Sequence, residues 1–117
     1  MLKTIYFFVD ARRNRPVNEF INNLSLKEQA KINAYISELK NQGHNLRRPM
    51  ADYIGEGIYE LRPGHNRVFY FFFLKENAVI LHAIRKKTDK IPSSDLDLCL
   101  KRKNEFKHSW NTNKFDS

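Results

Sequence analysis

The sequence predicts an α+β fold: a small, antiparallel-rich sheet with an N-terminal helical hairpin packed on one face and a short C-terminal helix. Two stretches carry this reading. Between Gly57 and Lys87, three runs (Ile58 to Arg62, Arg67 to Lys75, Ala78 to Lys86) are rich in β-branched and aromatic residues. Pro63 to Asn66 and then Glu76 and Asn77 separate them, which is the composition of consecutive strands joined by hairpins. Between Pro16 and Gly43 the apolar residues recur instead at helical spacing. A chain of 117 residues is one domain. We assign it to residues 1–108, with 109–117 a loosely ordered tail holding Trp110 and Phe115 among polar residues.

Taken in order, Leu2 to Val9 alternates as a strand, with Ile5, Phe7 and Val9 on one side and Thr4, Tyr6 and Phe8 on the other. Apolar residues on both sides predict a strand covered, at least in part, on both. Arg12, Arg13 and Arg15 follow in a polar loop, read as a solvated connector. Pro16 opens a helix whose Val17, Phe20, Ile21 and Leu24 fall at i, i+3, i+4 and i+7. Ser25 and Glu28 form a capping box for a second helix, in which Ile32, Tyr35, Ile36 and Leu39 repeat the stripe before Gly43 stops it. These stripes are core faces that cover the sheet. His44 to Glu56, interrupted by Pro49 and Gly55, reads as a loop in which Arg47 and Arg48 extend a basic surface. After Lys87, Ser93 or Ser94 caps a last helix carrying Leu96, Cys99, Leu100 and Phe106, able to pack on either side of the sheet.

Pairing the strands suggests a site. A first hairpin closed over Pro63 to Asn66 sets Arg62 opposite Arg67. A second, closed over Glu76 and Asn77, sets Lys86 opposite Arg67 and His82 opposite Phe71. Alternation then places Leu61, Val68, Tyr70, Val79, Leu81 and Ala83 on a core face, and Glu60, Arg62, Arg67, Phe69, His82 and Lys86 on the other. Three cations in a row across three strands repel one another unless something anionic lies over them, and Glu60 is the only acid nearby on that face. A slip of one residue would substitute Arg85 for Lys86. The same cations are also what a solvated strand end carries.

Lys and Arg number 21 against 13 Asp and Glu, a net charge of +8, which points to a polyanionic partner. Nucleic acid is the first expectation, although an anionic membrane surface or an acidic protein meets the same charge. At 41% hydrophobic residues the chain is not a disordered basic tail. The lone Cys99 excludes an internal disulfide and suits a reducing cytosol. The apolar N-terminus is too short for a signal peptide and no run approaches a membrane span, so the expected location is cytoplasmic, with no membrane partner. No Gly-rich phosphate loop, Cys/His metal cluster or nucleophile elbow occurs. Chemistry here falls to Arg, Lys, His and carboxylates, without a metal or other cofactor.

The run GIYELRPGHNRVFYFFF, followed by ILHAIRKKTDKIP, resembles the phage-derived HigB branch of the RelE/ParE toxin superfamily. Most specific are Glu60-Leu61-Arg62, Arg67 leading an aromatic strand, and His82 ahead of Lys86-Lys87-Thr88 and Pro92. The helical hairpin before and the short helix after stand in the family's order. The resemblance implies a RelE-like fold and a type II toxin that cleaves mRNA in the ribosomal A site and is neutralised by a helix-turn-helix antitoxin. Arg67 matches the arginine that holds the scissile phosphate, Arg62 the arginine ending the preceding strand, Lys86 and Lys87 the basic pair of which one acts in cleavage, and His82 the branch's histidine. The tyrosine that some RelE toxins carry after the basic pair has no counterpart, since Ile91 and Pro92 stand there; the general base is left open. The alternatives are a ParE-like gyrase inhibitor on the same scaffold and a non-catalytic nucleic-acid-binding module.

Metal-free RNA cleavage requires removal of the 2′-OH proton, stabilisation of charge on the phosphorane and a proton for the departing 5′ oxygen. Arg62 and Arg67 suit the second task. Crowding by two arginines disfavours a charged lysine, which makes Lys86 the first candidate for proton transfer, Lys87 the second and His82 the third. Removal of the Arg67 or Lys86 side chain is expected to abolish activity with the fold intact. Arg85, Lys90, Arg47 and Arg48, with Phe69 to stack an unpaired base, complete the expected RNA-binding surface.

Overall fold

Five strands form one mixed sheet, in which the first strand of the chain lies at one edge and the second at the other. The computed structural model describes the backbone of residues 1–116 and the side chains of residues 1–112. Its elements are β1 (Thr4–Phe7), α1 (Pro16–Asn22), α2 (Leu26–Gln42), a short 3-10 turn (Gly43–Asn45), β2 (Ala51–Gly55), β3 (Ile58–Leu61), β4 (Asn66–Phe73), β5 (Asn77–Arg85) and α3 (Ser93–Asp116). β1 runs parallel to β5 at one edge, and every other pairing is antiparallel. Among the described residues no helix is long and apolar enough to cross a membrane.

The helical hairpin covers one face as its stripes require. Val17, Ile21, Ile32 and Leu39 pack with Leu61, Val68, Tyr70 and Ile80, and each fully buried large apolar side chain contributes about 1.5–3 kcal/mol. The Glu28 backbone N–H donates to Ser25 Oγ at 3.2 Å, the cap expected of this pair. Glu28 also reaches Arg85 Nη2 at 2.6 Å, tying the start of α2 to the end of β5. β1 is covered on both sides, with Ile5 and Phe7 on the hairpin side and Tyr6 and Phe8 on the other.

α3 takes the opposite face. It lays Leu96, Cys99, Leu100 and Phe106 over Phe69, Phe71, Phe73, Val79 and Leu81. Burial pushes the Cys99 thiol up to about 12, the state of a small core residue. This helix is long rather than short, and the tail expected from residue 109 is its continuation as far as Asp116. Trp110 packs on Phe73 and Tyr6 at ring-centroid distances of 5.2 and 5.8 Å. The Phe115 side chain and Ser117 lie outside the described residues.

Two further expectations are corrected. The segment His44 to Glu56 is not all loop: Ala51–Gly55 is an edge strand that turns into β3 through Glu56 and Gly57, both at positive φ (51° and 82°). A two-residue loop with positive φ at both positions has the twist that closes a tight hairpin. The second large hairpin also closes differently, because Phe73 pairs with Asn77 across a three-residue loop in which Leu74 and Lys75 adopt positive φ. Val79 and Leu81 therefore face α3 rather than the helical hairpin. A bulge between Phe69 and Tyr70 in the register then restores the expected parity, so that Val68 sits opposite Ala83, Phe69 opposite His82 and Arg67 opposite Ile84.

Candidate active site

Three chain segments meet where β3 ends and β4 begins, on the face that α3 covers farther along. Ile58 lies under α3, so the strand's period of two sends Glu60 and Arg62 to that face. Arg67 joins them by sharing parity with the covered Phe69. Leu61↔Val68 is the last pair of the ladder, and one residue past it the same register sets Arg62 level with Arg67, the neighbours that the sequence predicts. From the other side comes the segment after β5, anchored where the Lys86 N–H donates to the His65 carbonyl at 2.7 Å. Together with β2 they enclose a cavity of about 360 Å³ that Arg48, Arg62, Arg67 and Lys86 all line.

The cations do not form an uncompensated row. Asp52, Glu60 and Asp89 line the same cavity, and Asp52 and Asp89 come from segments the sequence presents as irregular. Arg48 Nη2 lies 2.7 Å from Asp52 Oδ2, Lys86 Nζ 3.2 Å from Asp89 Oδ1, and Arg67 Nε 3.7 Å from Glu60 Oε2. Among the described residues Arg62 is the lining cation without an ion pair. Arg62 is thus open to an anion entering the cavity, and the Lys86 pair, whose Asp89 side chain is fully exposed, is of the kind that costs little to exchange.

Arg67 is the most constrained member. Its Nη1 donates to the carbonyls of Gly64 at 2.9 Å and Asn66 at 2.8 Å, bracing the β3–β4 turn, and its side chain is 6% exposed. Burial lowers its pKa, with Glu60 acting against that shift and Arg62 adding to it. Glu60 moves the other way: burial raises its carboxyl pKa against the pull of Arg67 and then Arg62.

Neighbouring cavities continue the surface in both directions. One of about 380 Å³ shares Arg48, Arg62 and Arg67 with the first and adds Lys31 and Tyr35 from α2. Another, of about 460 Å³, shares Lys86 and Ile91 and adds Arg85, Lys87 and Lys90 over Ile84 and Pro92. The basic pair is therefore split, with Lys86 in the central cavity and Lys87 beside it. Arg48 lines the centre as expected of a basic contact. Arg47 does not, because its Nη1 is turned back onto the carbonyls of His44 and Leu46. Phe69 is completely buried beneath α3 and has no face to offer a base. His82 lies in that same layer, where its Nε2 meets Asp95 Oδ1 at 2.8 Å and its ring stacks on Phe69.

The sequence matches the family described as "Phage derived protein Gp49-like (DUF891)" over residues 19–104. The chain belongs to this family. Among solved structures, the Gp49-like chain is similar to the isolated E. coli RelE toxin, with a TM-score of 0.50 and 13% identity, covering 79% of this chain and 95% of that one. At that identity the likeness is one of fold, and a RelE-like fold is what the Gp49-like chain has. No curated protein matches it in sequence.

Sequence reasoning missed Asp52, Asp89, Lys31 and Tyr35 as lining residues. For Asp52 a signal existed in the Gly-flanked Glu56, which marks a tight hairpin and makes Ala51 to Ile54 a strand. For Lys31 and Tyr35 there was none, because only the packing angle of α2 brings its flank to the β3–β4 turn.

Proposed function

We propose that this Gp49-like protein is the toxin of a type II toxin–antitoxin system, acting as a ribosome-dependent endoribonuclease on mRNA and neutralised by a helix-turn-helix antitoxin. The observation that supports this best is the convergence of Arg62, Arg67, Lys86 and Arg48 on one cavity. Its flanking cavities continue toward α2 on one side and the segment before α3 on the other. That arrangement fits an extended single strand, with the phosphodiester over Arg62 and neighbouring phosphates over Lys31 on one side and over Lys87 and Lys90 on the other.

In this reading Arg62, with the part of Arg67 not bound to the turn, stabilises charge on the phosphorane, and Lys86 donates the proton that the 5′ oxygen needs on leaving. The cavity is too small and too open to choose an RNA by itself. The ribosome supplies a preoriented strand, so activity on free RNA is weak.

Primer extension on message from cells expressing the protein tests the reading. New 5′ ends are expected with wild type and absent with Arg62→Ala or Lys86→Gln. Intact message during growth arrest, with loss of gyrase supercoiling, would establish the ParE-like alternative.

A further inference from the structure

Glu60 is an acid placed where a phosphate-gripping site has least obvious use for one. Its side chain is 8% exposed and lines the central cavity. The charged groups around it are Arg67 from β4, Arg62 following β3, Asp52 and Arg48 from β2 and the segment before it, and Lys86 and Asp89 from the segment after β5. Asp52 and Asp89 each have a cation at 3.2 Å or closer. Glu60 does not: its Oε2 accepts no hydrogen bond from any described residue, and Arg67 Nε at 3.7 Å is beyond hydrogen-bonding distance. A buried carboxylate oxygen without a donor is costly. Were Glu60 only a structural partner for Arg67, the pair would close. Arg67 instead commits Nη1 to the carbonyls of Gly64 and Asn66.

We infer that Glu60 is the base that accepts the 2′-OH proton of the RNA. This rests on the endoribonuclease reading of the cavity. The proton passes from the 2′ oxygen to the Glu60 carboxylate, the freed electron pair forms a bond to phosphorus, and the bond from phosphorus to the 5′ oxygen breaks. The departing oxygen takes a proton from Lys86 Nζ. The products are a 2′,3′-cyclic phosphate and a 5′-hydroxyl, and Glu60 and Lys86 recover their starting states by proton exchange through water. Oε2 is buried without a donor, so no hydrogen bond to that oxygen fixes the carboxylate, and the exposed part of the side chain offers it to a 2′-OH in the cavity. Burial raises the carboxyl pKa against the pull of Arg67 and Arg62, so Glu60 holds a proton more readily than an exposed carboxylate.

Single-turnover cleavage of a message held on ribosomes, followed against pH for wild type, Glu60→Gln and Glu60→Asp, tests the assignment. Glu60→Gln is expected to lose about 100-fold or more in rate, the usual worth of a general base. It also loses the rise in rate on the acid side of the wild-type profile, while its affinity for the ribosome–message complex is unchanged. Glu60→Asp keeps a carboxylate drawn back by one methylene, so it retains the rise with a lower plateau. The assignment fails if Glu60→Gln keeps the wild-type rate and profile, since Glu60 is then a structural neighbour of Arg67. It fails equally if Glu60→Asp lacks the acid-side rise, whether or not Glu60→Gln folds. A wild type that cuts no ribosome-bound message removes the endoribonuclease reading itself, a result distinct from any difference among the variants.

Discussion

His82 Nε2 lies 2.8 Å from Asp95 Oδ1, and this contact joins β5 to the first turn of α3. Arg102, about two turns farther along the same face of the helix, donates to the Leu81 carbonyl at 2.9 Å and comes within 3.4 Å of His82 Nδ1. Both ring nitrogens therefore point into the contact between sheet and helix, and the central cavity lies elsewhere. A residue read from the sequence as a third candidate for proton transfer is placed as a strut, because the bulge beside it turns both Leu81 and His82 toward α3.

That placement fixes a pH dependence. Burial lowers the pKa of His82 below its ordinary value of 6.5, outweighing the hydrogen bond that its ring gives to Asp95. The unfolded chain then binds a proton at a pH where the folded chain does not. The contribution of His82 to stability is full above about pH 6.5 and declines as the pH falls through that value toward the folded-state pKa. Thermal melts between pH 8 and pH 5 are expected to show a smaller acid loss for His82→Gln than for wild type. Cleavage per folded molecule should be unchanged by the substitution. A loss of cleavage comparable to that of Arg62→Ala would return His82 to the catalytic set.

Arg67 and Arg62 line the same cavity and should behave differently when removed. Arg67→Ala leaves the Gly64 and Asn66 carbonyls without their donor and Glu60 without its nearest cation. Breaking a buried ion pair from one side costs about 3–5 kcal/mol, so this variant is expected to unfold at markedly lower urea. The expectation that Arg67 can be removed with the fold intact is thereby revised. Arg62→Ala should shift the urea midpoint by less than about 1 kcal/mol while lowering cleavage about 100-fold. Equal urea midpoints for the two variants would contradict the bracing role of Arg67.

The split of the basic pair gives a third expectation. Lys86 lines the central cavity, whereas Lys87 and Lys90 line the neighbouring one. Lys86→Gln should depress the cleavage rate of bound message, and Lys87→Gln should weaken its binding with little change in that rate. The salt dependence of binding separates them further, because loss of one phosphate contact lowers the slope of log K against log salt by about one unit. A rate loss confined to Lys87→Gln would reverse the assignment.

How far these features could be read from residues alone depends on the range of the interactions that set them. The helical hairpin was legible because Pro16, the Ser25 cap, the apolar stripes and Gly43 are local signals that packing reinforced. The meeting of Arg62 and Arg67 was legible because the Pro63 to Asn66 turn fixes their register within a few residues. The opposite ends of β4 and β5 were not. Leu74 and Lys75 carry no turn signature, yet both take positive φ there, and one extra loop residue inverts every side chain until the bulge at Leu81 reverses it. Asp89 reaches the site from a segment with no hydrophobic period to place it, and Asp52 from an edge strand marked only by its Gly55-Glu56-Gly57 turn, so the partial neutralisation of the cavity was hard to read from the pattern.

The continuation of α3 past residue 108 makes the last prediction. Trp110 packs edge-on against Phe73 at 5.2 Å and Tyr6 at 5.8 Å, and Phe106 bridges to Phe71 and Phe73. Were residues 109 onward a loose tail, truncation after His108 would leave stability unchanged. Here both that truncation and Trp110→Ala remove aromatic cover from the far ends of β4 and β1. Each is expected to destabilise by about 2–4 kcal/mol, below the full value for a buried tryptophan because Trp110 is only partly buried. Phe73 and Arg67 are six residues apart on β4, roughly 20 Å along an extended strand, so the loss is remote from the cavity. Differential scanning calorimetry should therefore record a lowered melting temperature in variants whose cleavage rate, measured well below that temperature, is that of wild type.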